Sequence, residues 1–139
     1  MRSLFVLLSL CFCISCLVTH NLYDKDFPLN GNWIPIQQEM DGKIIPMTEM
    51  SAQQLTIKDT SYTFMAESVD KGSVQYANGK MDIYGREGVN AGKHFMAIYK
   101  LENEQLTICY DLKGESYPSS YDTKQHPFYF RSVFKKSSK

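Results

Sequence analysis

The side chains able to carry covalent or acid–base chemistry are few and dispersed. Histidines stand at positions 20, 94 and 126. None of them pairs at metal-ligand spacing, and a zinc site needs three or four nitrogen, sulfur or oxygen donors in a tetrahedral array. Asp41, Glu49, Asp70, Asp82, Glu87 and Asp111 are scattered without the spacing of a catalytic carboxylate pair, and they read as solvated turn charges. There is no G-x-S-x-G or H-E-x-x-H run, no Walker loop and no G-x-G-x-x-G. Gly85, Gly88 and Gly92 flank Arg86, Asn90 and Lys93, but phosphate-cradling loops open a helix. A strand follows here at Phe95, so the stretch reads as a mobile loop. One thiol–imidazole pair remains, His94 with Cys109. It would need contact to lower the thiol's pKa, whereas a lone buried cysteine ordinarily serves as a small hydrophobe. The expectation is a chain that is not an enzyme, with no catalytic residue, no metal site and no cofactor.

Composition narrows the partners. The 139 residues carry 15 Lys plus Arg against 15 Asp plus Glu, a formal net charge of +0, so no global field points to nucleic acid or an anionic surface. Hydrophobic residues make up 43% and aromatics 13%, which excludes disorder of the whole chain and suits one domain.

The N-terminus reads as an address. Met1-Arg2-Ser3 is a short positive start, residues 4–17 are apolar apart from serines, and polarity rises at Thr19-His20-Asn21. That run is shorter than the roughly 20 residues a helix needs to cross a bilayer, and it fits a secretory signal. Cys11, Cys13 and Cys16 all lie here. Ile14-Ser15-Cys16 resembles the end of a bacterial lipobox, with Cys13 where a branched aliphatic residue is usual. Cys16 is therefore the candidate lipidation site, with ordinary signal cleavage as the alternative. The resulting division is a lipoprotein-type signal peptide at 1–15, a polar tether at 16–30, a domain at 31–134 and a basic tail at 135–139. Localisation follows as the cell envelope, anchored by lipid and facing periplasm or surface, or otherwise secreted. Cys109 would then be the one free thiol, without a disulfide framework.

The domain reads as a train of short strands at 32–39, 54–59, 61–67, 72–77, 80–84, 95–101, 105–112 and 127–134, with one helical turn or two at 47–53. Asn78-Gly79 is the most specific hairpin signal, because both residues tolerate the positive φ of a type I′ turn. Leu106, Ile108, Tyr110 and Leu112 alternate with Thr107, Cys109 and Asp111, the period of a strand. Hairpin links without crossover helices argue for an all-β antiparallel meander, and closing it removes the edges. The expected fold is an eight-stranded antiparallel up-and-down barrel, with a sandwich as the alternative. Such a barrel holds side chains or one small ligand. Met65, Met96, Tyr110, Phe128 and Phe130 are the candidate ligand-binding residues, although the same side chains can simply fill a small lumen.

Gly31-Asn32-Trp33 opening the first strand resembles the G-x-W signature of the lipocalin and calycin superfamily. That resemblance implies that Trp33 closes one end of the barrel with Arg131, from the last strand, packed across its ring. Met40-Asp41-Gly42-Lys43, Ile98-Tyr99-Lys100-Leu101, Leu106 to Tyr110 and Lys113 to Tyr121 together resemble a bacterial family of uncharacterised lipocalin-like domains named from planctomycete proteins. The resemblance spans residues 31 to about 134. It departs at Tyr117, where that family usually has arginine. It implies a fold and an envelope location and supplies no ligand or activity; the expected partner, a small hydrophobic ligand or an envelope protein, rests on the signal segment, Cys16 and the barrel. In the alternative function, an interaction or inhibitor module with no ligand-filled lumen, the loops at 84–93 and 116–125 would present Tyr117 and Tyr121 as anchors.

Overall fold

The computed structural model describes residues 26–138. The signal segment, Cys16 and most of the expected tether lie outside the described residues. Nine strands and one short helix follow in chain order: β1 (Gly31–Met40), β2 (Lys43–Ile44), α1 (Met47–Met50), β3 (Gln54–Lys58), β4 (Ser61–Met65), β5 (Val69–Ala77), β6 (Lys80–Glu87), β7 (His94–Glu102), β8 (Gln105–Asp111) and β9 (Tyr129–Lys136). Each strand of the meander pairs antiparallel with the next. β1 also pairs with β9 from Trp33↔Lys136 to Met40↔Phe130, which closes eight strands into a barrel, while β2 only extends β1 as a hairpin. The turns carry the positive φ their sequences invite: 51° and 77° at Asn78-Gly79, and 50° and 71° at Asp41-Gly42.

Alternation decides which side chains fill the lumen. Leu106, Ile108 and Tyr110 face inward on β8, and Phe130, Ser132 and Phe134 do so on β9. A bulge between Pro35 and Gln37 shifts β1 by one residue, so Trp33 and Gln38 both face the interior. At the end holding the 59–60, 78–79 and 103–104 turns, the lumen is solid. Trp33, Leu29, Leu106 and Ala97 are each at most 1% exposed there. The indole N–H donates to the Leu29 carbonyl at 2.9 Å. Asn30 bonds Asp59 twice, through its Nδ2 at 3.0 Å and by accepting the Asp59 amide at 2.7 Å. The segment before β1 is therefore a plug rather than the last part of a tether, and the packed domain already includes Leu29.

Three further expectations are corrected. Lys135 and Lys136 belong to β9 rather than to a basic tail, and the Lys136 ammonium lies 5.6 Å from the Trp33 ring centroid. It takes the position expected of Arg131. Arg131 pairs with Glu39 and Cys109, five residues up β9 from the level of Trp33, which is about 17 Å at the usual strand rise. Because Phe130 and Ser132 face inward, Arg131 faces out. Its Nη2 meets Glu39 Oε2 at 2.6 Å and its Nη1 donates to the Tyr121 carbonyl at 3.1 Å. The helical piece is also shorter than expected, ending at Met50.

The β8–β9 connection, residues 112–128, lies back on the outer wall. Asp111 accepts the backbone amides of Lys113, Glu115 and Ser116 at 3.0–3.2 Å. Thr123, fully buried, donates to Glu39 at 2.5 Å and accepts the Gly42 amide at 2.9 Å. This cover explains how strands with bulky or reactive groups on both faces avoid exposing them: Cys109, on the outer face of β8, is 0% exposed.

Leu29→Ala is expected to cost about 2–4 kcal/mol by urea denaturation, because it removes a buried side chain beside the indole. A tether residue would cost nothing. Arg131→Ala is expected to destabilise by about 2–4 kcal/mol through the stranded Glu39 carboxylate, with the Trp33 emission maximum unchanged. A red-shifted emission would instead place Arg131 on the indole.

Candidate functional site

Above the solid layer the lumen is hollow. A cavity of about 200 Å³ runs between Ile57, Val74 and Ile108 toward Phe64, Phe95 and Phe130. That volume is below the usual range for drug-sized ligands, about 300–1,000 Å³. It exceeds an apolar engineered cavity of about 150 Å³ that accepts benzene. The space suits a single ring or a short chain.

Six aromatic rings, Tyr62, Phe64, Phe95, Tyr110, Phe130 and Phe134, contribute to the wall. Tyr110 and Phe130 lie 5.9 Å apart, centroid to centroid, in a tilted pair. Gly72 makes room for Tyr62: a Cβ at that position would run into the Tyr62 ring and the Tyr84 carbonyl. Burial pushes the Tyr110 hydroxyl pKa up. The same holds for Tyr62, where burial leads and the nearby charge of Asp70 adds to it.

The polar part of the wall is small. Gln38, 2% exposed, donates to Gln53 Oε1 at 2.7 Å. Asp70, 5% exposed, accepts the Asn90 backbone amide at 3.0 Å and its side-chain amide at 3.2 Å. Gly88 sits against Asp70 with φ of 88°, and a Cβ there would collide with the carboxylate. The 88–93 connection is therefore pinned to the lumen wall rather than hanging free as expected.

The mouth lies at the end opposite Trp33, among the connections 41–53, 66–68, 88–93 and 112–128. The exposed large hydrophobic side chains collect around it: Met40 and Ile44 on the β1–β2 hairpin, Met47 on α1, Met65 and Val69 at the β4–β5 turn, Val89, Leu112 and Phe128. Only Leu101, of the large exposed hydrophobics among the described residues, lies elsewhere.

Of the five candidate ligand-binding residues, Tyr110 and Phe130 line the cavity. The other three do not. Met65 is 43% exposed on the rim, one position past the inward Phe64. Met96 faces outward, because its neighbours Phe95 and Ala97 face in. Phe128 is 45% exposed, with the Lys113 ammonium 4.3 Å from its ring centroid. Apolar side chains on two-faced strands give no signal of which face turns inward, and the outer cover by 112–128 is invisible in the period. Asp70 and Asn90 were missed. An acidic residue beside a turn reads as solvated, and only the closed wall shows that it is not.

The thiol–imidazole pair does not form. Cys109 lies opposite Ile98, four residues along β7 from His94, or about 13 Å. His94 Nε2 instead lies 2.8 Å from Asp82 Oδ1, and its ring stacks on Tyr84 at 4.4 Å. Burial raises the Cys109 pKa to about 11. Among the described residues no group of three or more His, Cys, Asp or Glu side chains is placed to hold a metal ion. The loop tyrosines are engaged at home. The Tyr117 hydroxyl donates to Asp82 Oδ2 at 2.6 Å, and Lys100 lies 5.3 Å from the Tyr121 ring centroid. No protein-family model, curated protein or solved structure matches the chain.

Cys109 is expected to resist a disulfide-exchange reagent at neutral pH in the native protein and to react fully once unfolded. The unfolded thiol ionises near 8.5 and the folded one near 11. The protonated thiol's contribution to stability is thus complete below about pH 8.5 and is lost as pH rises toward 11. A urea midpoint that holds constant between pH 8 and 10.5 would contradict this.

Proposed function

We propose that this protein is an exported, non-enzymatic, lipocalin-like binder of a small, largely hydrophobic molecule, held at the cell envelope by a lipid on Cys16. The observation that carries the binding part is the cavity itself. It is walled by aromatic and aliphatic side chains, sealed at the Trp33 end and open at an apolar rim. Burying one small apolar molecule there removes its surface from water at about 25 cal/mol per Å², and the wall is already formed. The rim lowers the cost of approach for a ligand that arrives from an apolar phase. The anchoring part rests on the N-terminal sequence alone, where Ile14-Ser15-Cys16 follows an apolar run.

The interaction-module reading is weaker on this geometry. Tyr117 and Tyr121, its proposed anchors, are tied to Asp82 and Lys100 of the same chain.

A fluorescent hydrophobic probe small enough for one ring is expected to bind the purified chain at one site. Val74→Phe, which fills the lumen, should abolish that binding while leaving the far-ultraviolet circular dichroism intact. Binding that survives Val74→Phe unchanged would place the probe on the rim and remove the carrier reading. For the anchor, Cys16→Ser is expected to move the protein from the membrane fraction to the soluble envelope fraction. Unchanged partition would end the lipoprotein assignment.

A further inference from the structure

We infer that the cavity selects a small organic cation, an amine carried on an aromatic or short aliphatic body, with Asp70 as the counter-charge. The inference rests on the ligand-binding reading above and names its chemistry. Asp70 lies among the lumen-lining residues, on the wall with Tyr62 and Phe64. It is 5% exposed. No lysine, arginine or histidine among the described residues lines the cavity, and none of the ion pairs among them includes Asp70. A buried carboxylate without a cation is costly even when neutral donors bond it. The wall thus holds a carboxylate with no cation in direct contact, the Lys93 ammonium reaching only the Asn90 Oδ1, at 3.2 Å.

The loop-pinning role of Asp70 does not account for that charge. Its two bonds come from the backbone and side-chain amides of Asn90. An amide at position 70 would accept the backbone N–H through its oxygen and, with the Asn90 side chain turned over and its exposed bond to the Lys93 ammonium given up, donate to the Asn90 side-chain oxygen. The pin therefore works without a charge, and the charge is left for something else.

The surroundings suit an ammonium group in particular. Tyr62, Phe64, Phe95, Tyr110 and Phe130 present ring faces or edges to the same space, and aromatic faces attract cations, more strongly when water is excluded. An anion would meet Asp70 with no compensating donor of positive charge. A neutral ring would fill the volume and leave the carboxylate unpaired. A cation on an apolar body satisfies both the wall and the charge, within a space of about 200 Å³.

The test is a matched series on one skeleton, with benzylamine, benzyl alcohol and benzoate titrated calorimetrically into the purified full-length chain near neutral pH. Benzylamine is expected to bind at least about tenfold more tightly than benzyl alcohol, the size of one buried charge contact, and benzoate more weakly than either. Asp70→Asn, which keeps the pin, should bring the amine and alcohol affinities together. Asn90→Ala, which loosens the loop but keeps the charge, should preserve the amine preference. Alcohol binding as tight as amine binding, or a preference that persists in Asp70→Asn, would overturn the inference and leave the carrier reading intact. If none of the three binds, the inference fails. The carrier reading then fails with it only if the hydrophobic probe is also refused.

Discussion

The pairing of β1 with β9 is the constraint on which the molecule depends. Without it, the meander is an open sheet with two unpaired edges and one face of Leu, Ile, Phe and Tyr side chains turned to water. With it, those side chains enclose a lumen whose width is set by strand number. The bulge at Pro35 and Gln37 sits within that seam. It gives β1 two inward residues of different kinds, an indole that fills one end and a buried amide, Gln38, that faces the cavity nearer the other. The solid end and the hollow end are thus consequences of one seam and one extra residue.

The outer wall is held by a second set of forces. Glu39 and Arg131, opposite each other across the seam, form a partly buried ion pair at 2.6 Å, extended by Thr123 and the Tyr121 carbonyl. Such a pair is weak as a source of net stability, but removing either partner strands the other. Here it fastens the 112–128 connection over the seam and over Cys109. The guanidinium does work different from the stacking that the superfamily resemblance implies, and the Arg131 Nε has no hydrogen-bond partner. At the sealed end the indole is held instead by the Leu29 carbonyl and overlaid by the Lys136 ammonium.

Much of the fold was legible because period-2 alternation and turn chemistry are local. All eight barrel strands fall where alternation and the Asn78-Gly79 turn place them, within a few residues. What was not legible depends on closure. Leu29 lies in a polar stretch and reads as linker, yet it is fully buried because the barrel end needs a plug. Met96 is as apolar as its inward neighbours Phe95 and Ala97, but the register turns it outward. Trp33 and Arg131 have suitable residue types, and only the register separates them by five positions. Asp70 illustrates the same limit. Its chemistry is written in the sequence, while its desolvation arises from strands and a loop far along the chain.

The most direct measurement is native-state amide hydrogen exchange across the seam. The amides of β1 and β9 that bond across the seam should exchange only through global unfolding, as slowly as those between β5 and β6. Exchange of the β1 and β9 amides faster by about a hundredfold or more, at the rate of a fraying edge, would mean that the sheet is open and that the lumen described above does not exist.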